Sequence, residues 1–340
     1  MPDGAGSVLR VENLTVRFRR RGSEVAAANG VCFALARGET LTILGESGSG
    51  KSVSLKALMG LLPPYAVIEG RVWLGGREVL TLPRAELARL RGGAISMIFQ
   101  EPMAALDPVY TIGEQISETI VAHERVDRRT ARRRALELLE RVRIPSAARR
   151  LDNYPHEMSG GMRQRSMIAL ALACSPAVLL ADEPTTALDV TVQIQILLLL
   201  RQLQQELGMA IVFVTHDVGA AAEISDRIAV MYAGRFVETG SAREVLHAPQ
   251  HPYTQGLLAS TVHGALRGRP LGTIPGAPPN LAMLPPGCPF APRCAGAVPA
   301  CLGGEIRATP RPGGGIVRCI RAGASASAAP TATARSEVTT

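Results

Sequence analysis

The sequence predicts an α/β fold with three additions: an antiparallel β subdomain, an inserted α-helical subdomain and a small Cys-rich C-terminal extension. Three observations predict the core. The apolar run Leu41-Thr42-Ile43-Leu44 reads as a buried strand, followed by a Gly-rich loop and a helix over Ser54 to Leu62. Two further apolar runs, Val178 to Ala181 and Ala210 to Val214, read as strands buried on both faces, as in parallel sheets. From about residue 111 to 174 the spacing turns helical throughout and interrupts that alternation.

The Gly-rich loop is Gly45-Glu46-Ser47-Gly48-Ser49-Gly50-Lys51-Ser52, followed by Val53. It fits G-x-x-x-x-G-K-[ST] in the strand, loop and helix context that a P-loop requires. Glycines let the backbone curl so that successive N–H groups point at phosphate oxygens, and the helix N-terminus adds partial positive charge. Lys51 can then reach the β- and γ-phosphates of ATP, and the Ser52 hydroxyl can ligate Mg²⁺. A chance glycine turn is the rival, since Gly makes up 34 of 340 residues. Lysine decides against it. Of 37 basic residues only Lys51 and Lys56 are lysines, and one stands where a compact point charge is needed.

At 340 residues and 46% apolar, the chain can hold one large or two ordinary domains with a sizeable core. The net charge is +8, with basic runs at Arg17 to Arg21, Arg128 to Arg134 and Arg149-Arg150. Such runs can touch nucleic acid or anionic lipid but read better as solvated faces, and no nucleic-acid partner is expected. Met1-Pro2-Asp3-Gly4 lacks the order of a signal peptide. The longest apolar run, Ile194 to Leu200, is broken by Gln195 and falls far short of the ~20 residues of a membrane span. A soluble or peripheral protein is expected. Because ATP is a cytoplasmic substrate, the six cysteines read as thiols or metal ligands, not disulfides.

In chain order, residues 8 to 18 alternate as an edge strand, with Val31 to Ala36 as partner and an exposed basic turn, Arg19 to Gly22, between them. Phe18 is placed to stack on a base; a core or surface role is the alternative. Arg71 to Gly76 reads as a strand and turn. Ala94 to Phe99 reads as a strand that ends on Gln100, whose amide can contact a metal or water there. Helices are expected over Ile112 to Val126 and Arg129 to Val142. The next helix opens with Ser159-Gly160-Gly161-Met162-Arg163-Gln164-Arg165. Ser159 can cap it, and the paired glycines let an anion approach, although an ordinary Gly-containing cap is possible. Asp182-Glu183 emerge where the strand from Val178 ends. Asp182 is then placed to hold the Mg²⁺ shell and Glu183 to orient or deprotonate a water; a helix cap is the modest rival. His216 can hydrogen-bond a γ-phosphate, or serve as a capping or core residue.

The P-loop, Gln100, Ser159-Gly160-Gly161, Asp182-Glu183, Ala187-Leu188-Asp189 and His216, in that order, resemble the nucleotide-binding subunit of an ABC transporter over roughly residues 7 to 260. Met162 departs from the commonest signature, but this variant resembles the peptide and nickel uptake branch. The resemblance implies roles. Lys51 and the loop amides hold phosphates, and Ser52 and Gln100 ligate Mg²⁺. Asp182 supports the metal through water, Glu183 is the general base, and His216 contacts the γ-phosphate. Phe18 stacks the adenine, Asp189 lies at a dimer contact, and Ser159 and Gly161 complete the ATP site of the opposite protomer.

His251-Pro252-Tyr253-Thr254-Gln255, Ile274-Pro275-Gly276 and Gly287-Cys288-Pro289-Phe290-Ala291-Pro292-Arg293-Cys294 resemble the C-terminal extension of oligopeptide/dipeptide importer ATPases. The expected division is a nucleotide-binding domain over 1–262, with its helical subdomain at about 101–174. The extension follows over 263–321 and a disordered Ala/Ser/Thr/Pro tail over 322–340. Four of the six cysteines, Cys288, Cys294, Cys301 and Cys319, crowd the extension and suggest a tetrathiolate metal site. Arg293 and Arg318 precede two of them and would lower thiolate pKa. The resemblance implies a [4Fe-4S] cluster; ligand type alone permits Zn²⁺ as well. It also implies a peripheral ATPase on the cytoplasmic face of a bacterial inner membrane, powering uptake of short peptides. Its expected partners are two transmembrane permeases, a second ATPase subunit and an extracytoplasmic solute-binding protein. A nickel importer ATPase is the nearest rival, and a soluble ABC ATPase of DNA repair or translation a distant one.

Overall fold

Alternating apolar residues build the first strand, β1 (Ser7–Arg20), which pairs antiparallel with β2 (Ser23–Ala36) in the computed structural model of the chain. The structure describes residues 6–20, 23–186, 188–261 and 272–322. Arg21, Gly22, Ala187, the boundary near 262 and all of the tail but Ala322 lie outside them. Leu9, Val11, Leu14 and Val16 are all buried although their spacing slips by one. Asn13, at φ 51°, sits where the register shifts, and such a bulge turns Leu14 back inward.

β3 (Thr40–Leu44) is buried along its whole length and leads through the Gly-rich loop into α1 (Lys51–Leu58). This helix starts and ends earlier than the sequence suggests. Gly50 is its N-cap, and Gly60 at φ 58° lies in the left-handed region just past its end. β4 (Ala66–Leu74) and β5 (Arg77–Glu78) complete a four-stranded antiparallel sheet of order β2-β1-β4-β5. α2 (Arg84–Leu90) precedes β6 (Ile95–Ile98).

The helical insertion consists of α3 (Pro102–Ala105), α4 (Ile112–Glu124), α5 (Arg128–Arg141), α6 (Ala147–Arg150) and α7 (Gly160–Ala171). Side-chain caps start three of them: Thr111 with Glu114 in a capping box, Asp127 to the Thr130 amide, and Ser159 to the Met162 amide. The basic runs are partly neutralised, as in Arg17–Glu69 at 2.8 Å and Arg132–Asp152 at 2.7 Å. Among the described residues no helix is long and apolar enough to cross a membrane.

β7 (Val178–Asp182), α8 (Val190–Leu207), β8 (Ala210–Thr215), α9 (Val218–Ile224), β9 (Arg227–Tyr232) and β10 (Arg235–Ser241) follow, then α10 (Ala242–His247) and α11 (Pro252–Ala259). Two short strands of the extension, β11 (Thr309–Pro310) and β12 (Ile316–Val317), finish an eight-stranded sheet of order β11-β12-β10-β9-β3-β8-β7-β6. From β9 to β6 the pairing is parallel, so β3, β8, β7 and β6 present their carboxyl ends on one side. The extension is therefore joined to the core sheet. β12 pairs with β10, and Arg311 forms a buried ion pair with Glu238 of β10.

Candidate functional site

Ligands of open α/β sheets gather beyond the carboxyl ends of the strands, and here four such ends converge. The loop after β3 supplies Glu46 to Lys51, and Gln100 follows β6. β7 ends in Asp182 and Glu183, and His216 follows β8. They surround a cavity of about 850 Å³ whose wall includes Glu46, Ser47, Gly48, Gly50, Lys51, Ser52, Val53, Gln100, Glu183 and His216. Glycine is required where the loop passes other backbone. A Cβ on Gly50, at φ 106°, would come within 2.1 Å of the Ala27 carbonyl oxygen, and one on Gly45 within 2.3 Å of that of Met231.

Lys51 is buried, and its ammonium donates to the carbonyls of Gly45 at 2.8 Å and Glu46 at 2.9 Å. Burial lowers its pKa, while Glu183 and Asp182 pull the other way. The Ser52 hydroxyl donates to Asp182 Oδ1 at 2.7 Å, and burial raises the Asp182 carboxyl against that bond. Ser49 Oγ is buried with no hydrogen-bond partner among the described residues. An orphaned donor, a turned-in lysine and a hydroxyl–carboxylate pair in one cradle fit a polyphosphate with a hard cation.

Glu183 stands at φ 46°, a conformation that costs a non-glycine residue energy. Its amide is tied to the Val214 carbonyl at 3.0 Å. Its Oε2 accepts from Thr186 Oγ1 at 3.0 Å and Gln100 Nε2 at 3.3 Å, and lies 3.2 Å from His216 Nδ1. Its Oε1 is 3.8 Å from Lys51 Nζ. The strained backbone thus aims one carboxylate at the three groups that the sequence marked separately.

Not every predicted residue reaches this wall. Phe18 is absent from it; the ring packs 6.0 Å from that of Tyr65, because β1 pairs Phe18 with Ala66 next to that tyrosine. Ser159, Gly160 and Gly161 open α7 away from the cavity, with Ser159 and Gly160 exposed. A Cβ on Gly161 would meet Val192 Cγ1 at 3.1 Å. Asp189 caps α8 through the Val192 amide at 3.0 Å and is also exposed. Conversely, sequence reasoning missed Thr186 and the wall formed by Leu257, Thr273, Ile274 and Leu281. Nothing local in those residues signals a nucleotide.

All four cysteines of the extension line one small cavity of about 20 Å³. The expectation that a preceding arginine lowers the thiol pKa fails at Cys319. Burial pushes Cys288 and Cys319 up, Arg293 turns to Glu46, and Arg318 donates to the Phe236 and Ile306 carbonyls. The four thiols share one cavity. Among the described residues, however, no group of three or more His, Cys, Asp or Glu side chains is arranged to hold a metal ion.

Fold and site together define an ABC ATPase cassette, and the ABC transporter family model matches residues 28–186. The dimeric ATP-binding cassette MJ0796, solved in a post-hydrolysis state with ADP and Pi, matches with a TM-score of 0.63 and 32% identity. That match covers 69% of this chain and 99% of that one. The C-terminal region model of oligopeptide/dipeptide transporters matches residues 237–301. The chain is 48% identical to the dipeptide transport ATP-binding protein DppD of Bacillus subtilis, over 86% of its own length and 88% of the relative's. It is 50% identical to the oligopeptide transport ATP-binding protein OppD of Salmonella typhimurium, over 88% and 90%. The chain belongs to the ATP-binding proteins of oligopeptide/dipeptide ABC transporters.

Proposed function

We propose that the chain hydrolyses ATP to power uptake of short peptides through a binding-protein-dependent ABC transporter. The convergence of Lys51, Glu183 and Ser52, itself bonded to Asp182, on one cavity carries the ATPase part of this reading. The match of the C-terminal region, and relatives named for peptide transport, support the solute. The protein then sits peripherally on the cytoplasmic face of the inner membrane. It works with two permeases, a second ATPase subunit and an extracytoplasmic binding protein.

Lys51 and the loop amides bind the phosphates, with Ser52, Gln100 and Asp182 as the Mg²⁺ shell. Bound Mg²⁺ neutralises charge that develops on the transferred phosphoryl group. Glu183 accepts the proton of the attacking water, and His216 and Gln100 orient that carboxylate and the γ-phosphate. The exposed Ser159 and the half-buried Gly161 serve the ATP of a facing subunit, and Asp189 lies at that contact. Phe18, near the end of β1, is the aromatic that would stack the adenine. Uptake of labelled di- and oligopeptides by cells with and without the gene tests the solute. Peptide uptake that survives the deletion, with nickel uptake lost, favours the nickel branch instead.

An ATP site shared between subunits makes hydrolysis depend on assembly. Specific ATPase activity of the isolated chain should be low and fall on dilution, and it should rise when partner subunits and permeases are added. Full activity from a monomer at high dilution would contradict the shared site.

For the extension, Cys288, Cys294, Cys301 and Cys319 are the proposed ligands of a [4Fe-4S] cluster, with Zn²⁺ as the alternative. Such a group would tie together a segment whose loops carry little core. Anaerobically purified protein should be brown and contain iron and sulfide, and Cys301→Ser should lose both while still binding ATP. Colourless protein with tightly held zinc replaces the cluster but keeps the site; no metal of either kind removes the site.

A further inference from the structure

Glu46 is the only charged residue between Gly45 and Lys51, and it does not face the cavity alone. Its carboxylate takes two bonds from Arg293 of the extension, from Nη1 to Oε2 at 2.7 Å and from Nη2 to Oε1 at 3.0 Å. The guanidinium is buried beside the Tyr232 and Phe290 rings, 5.9 Å from each ring centroid. On its other side the Glu46 amide donates to the Tyr253 hydroxyl at 2.9 Å. The first turn of the phosphate loop is thus held from α11 and from the extension.

The same arginine reaches further. Arg293 Nε donates to the Pro275 carbonyl at 2.9 Å, and Pro275 adjoins Thr273 and Ile274 on the cavity wall. Ile274 is wedged against α11, where a Cβ on Gly256 would meet its Cγ1 at 2.9 Å. One fork-shaped side chain therefore ties the phosphate loop to the segment that walls the cavity, a geometry that lysine could not supply.

We propose that the C-terminal extension latches the phosphate loop, and that the Arg293–Glu46 pair is the positioning contact that sets nucleotide affinity. This rests on the ATP-binding reading above. A carboxylate in a phosphate loop opposes a polyphosphate unless it is neutralised and held aside. Arg293 does both, and removing it leaves Glu46 unpaired beside the phosphates. A merely structural ion pair would stabilise the extension without touching affinity.

The test titrates ATP into the full-length protein by calorimetry. Arg293→Gln should weaken binding about ten-fold, a typical coupling between linked contacts. Adding Glu46→Gln to that variant should restore most of the loss, because the orphaned charge is gone. Binding by Arg293→Gln equal to wild type overturns the latch, as does a double variant no better than the single. Should Arg293→Gln unfold residues 288–319 in amide exchange, Glu46→Ala decides, since it cuts both bonds and leaves the extension's sequence whole. It should speed exchange at 273–276, and unchanged exchange there overturns the proposal. Lys51→Ala separates the two readings. If it abolishes ATP binding while Arg293→Gln has no effect, the site stands and the latch falls. A folded wild type that binds no ATP refutes both.

Discussion

Glu183→Gln should bind ATP as wild type does yet lose turnover by roughly 10²- to 10⁴-fold, the usual contribution of a positioned general base. The substitution is isosteric. A glutamine oxygen can still accept from Thr186 and Gln100, so the hydrogen bonds around Oε2 survive. The backbone at φ 46° suits glutamine no worse than glutamate. What disappears is the capacity to take a proton, and with it the attraction to Lys51 at 3.8 Å. ATP that binds but is not cleaved should also hold two subunits together, so a dimer should appear on gel filtration with ATP. Phosphate release measured with saturating ATP checks the first effect. Near-wild-type release would take Glu183 out of that role and point to His216, whose ring nitrogen lies 3.2 Å away.

The parts of this site that could be read from sequence are those whose chemistry is local. Gly45 to Ser52 and Asp182-Glu183 each combine a strand, a turn and a functional group within a few residues, so pattern alone places them. Ser159 announces its helix because capping is a contact three residues long. Glu46 and Arg293 carry no such signal. Their pairing depends on where α11 and the extension dock, and an arginine beside a cysteine reads more simply as a thiolate partner. The neighbour of Phe18 was likewise not legible: the register of β1 on β4 sets its ring beside Tyr65. The short strands β11 and β12 were invisible because two residues each, one of them Pro310, show no period.

The Glu238–Arg311 pair should be the costliest single contact to break in the extension. Both side chains are almost wholly buried, Arg311 at 3% and Glu238 at 0% exposure. Glu238 also accepts from the amides of Gln250 at 2.8 Å and His251 at 2.9 Å, while Arg311 donates to the Ala248 carbonyl at 3.0 Å. One carboxylate thus fastens the chain before α11, the edge of β10 and the β11–β12 turn. Arg311→Met keeps the volume but strands that carboxylate, which costs about 3–5 kcal/mol when a buried pair loses one partner. The loss need not unfold the core, since among the described strands β12 meets the large sheet only through β10. It should appear first as local opening, with amide protection over 309–317 falling by about two to three orders of magnitude while β3 and β7 stay protected. Glu238→Gln added to Arg311→Met should recover part of the loss by removing the stranded charge. Unchanged protection at 309–317 in Arg311→Met would mean that backbone pairing of β10 with β12 holds the extension in place without the ion pair.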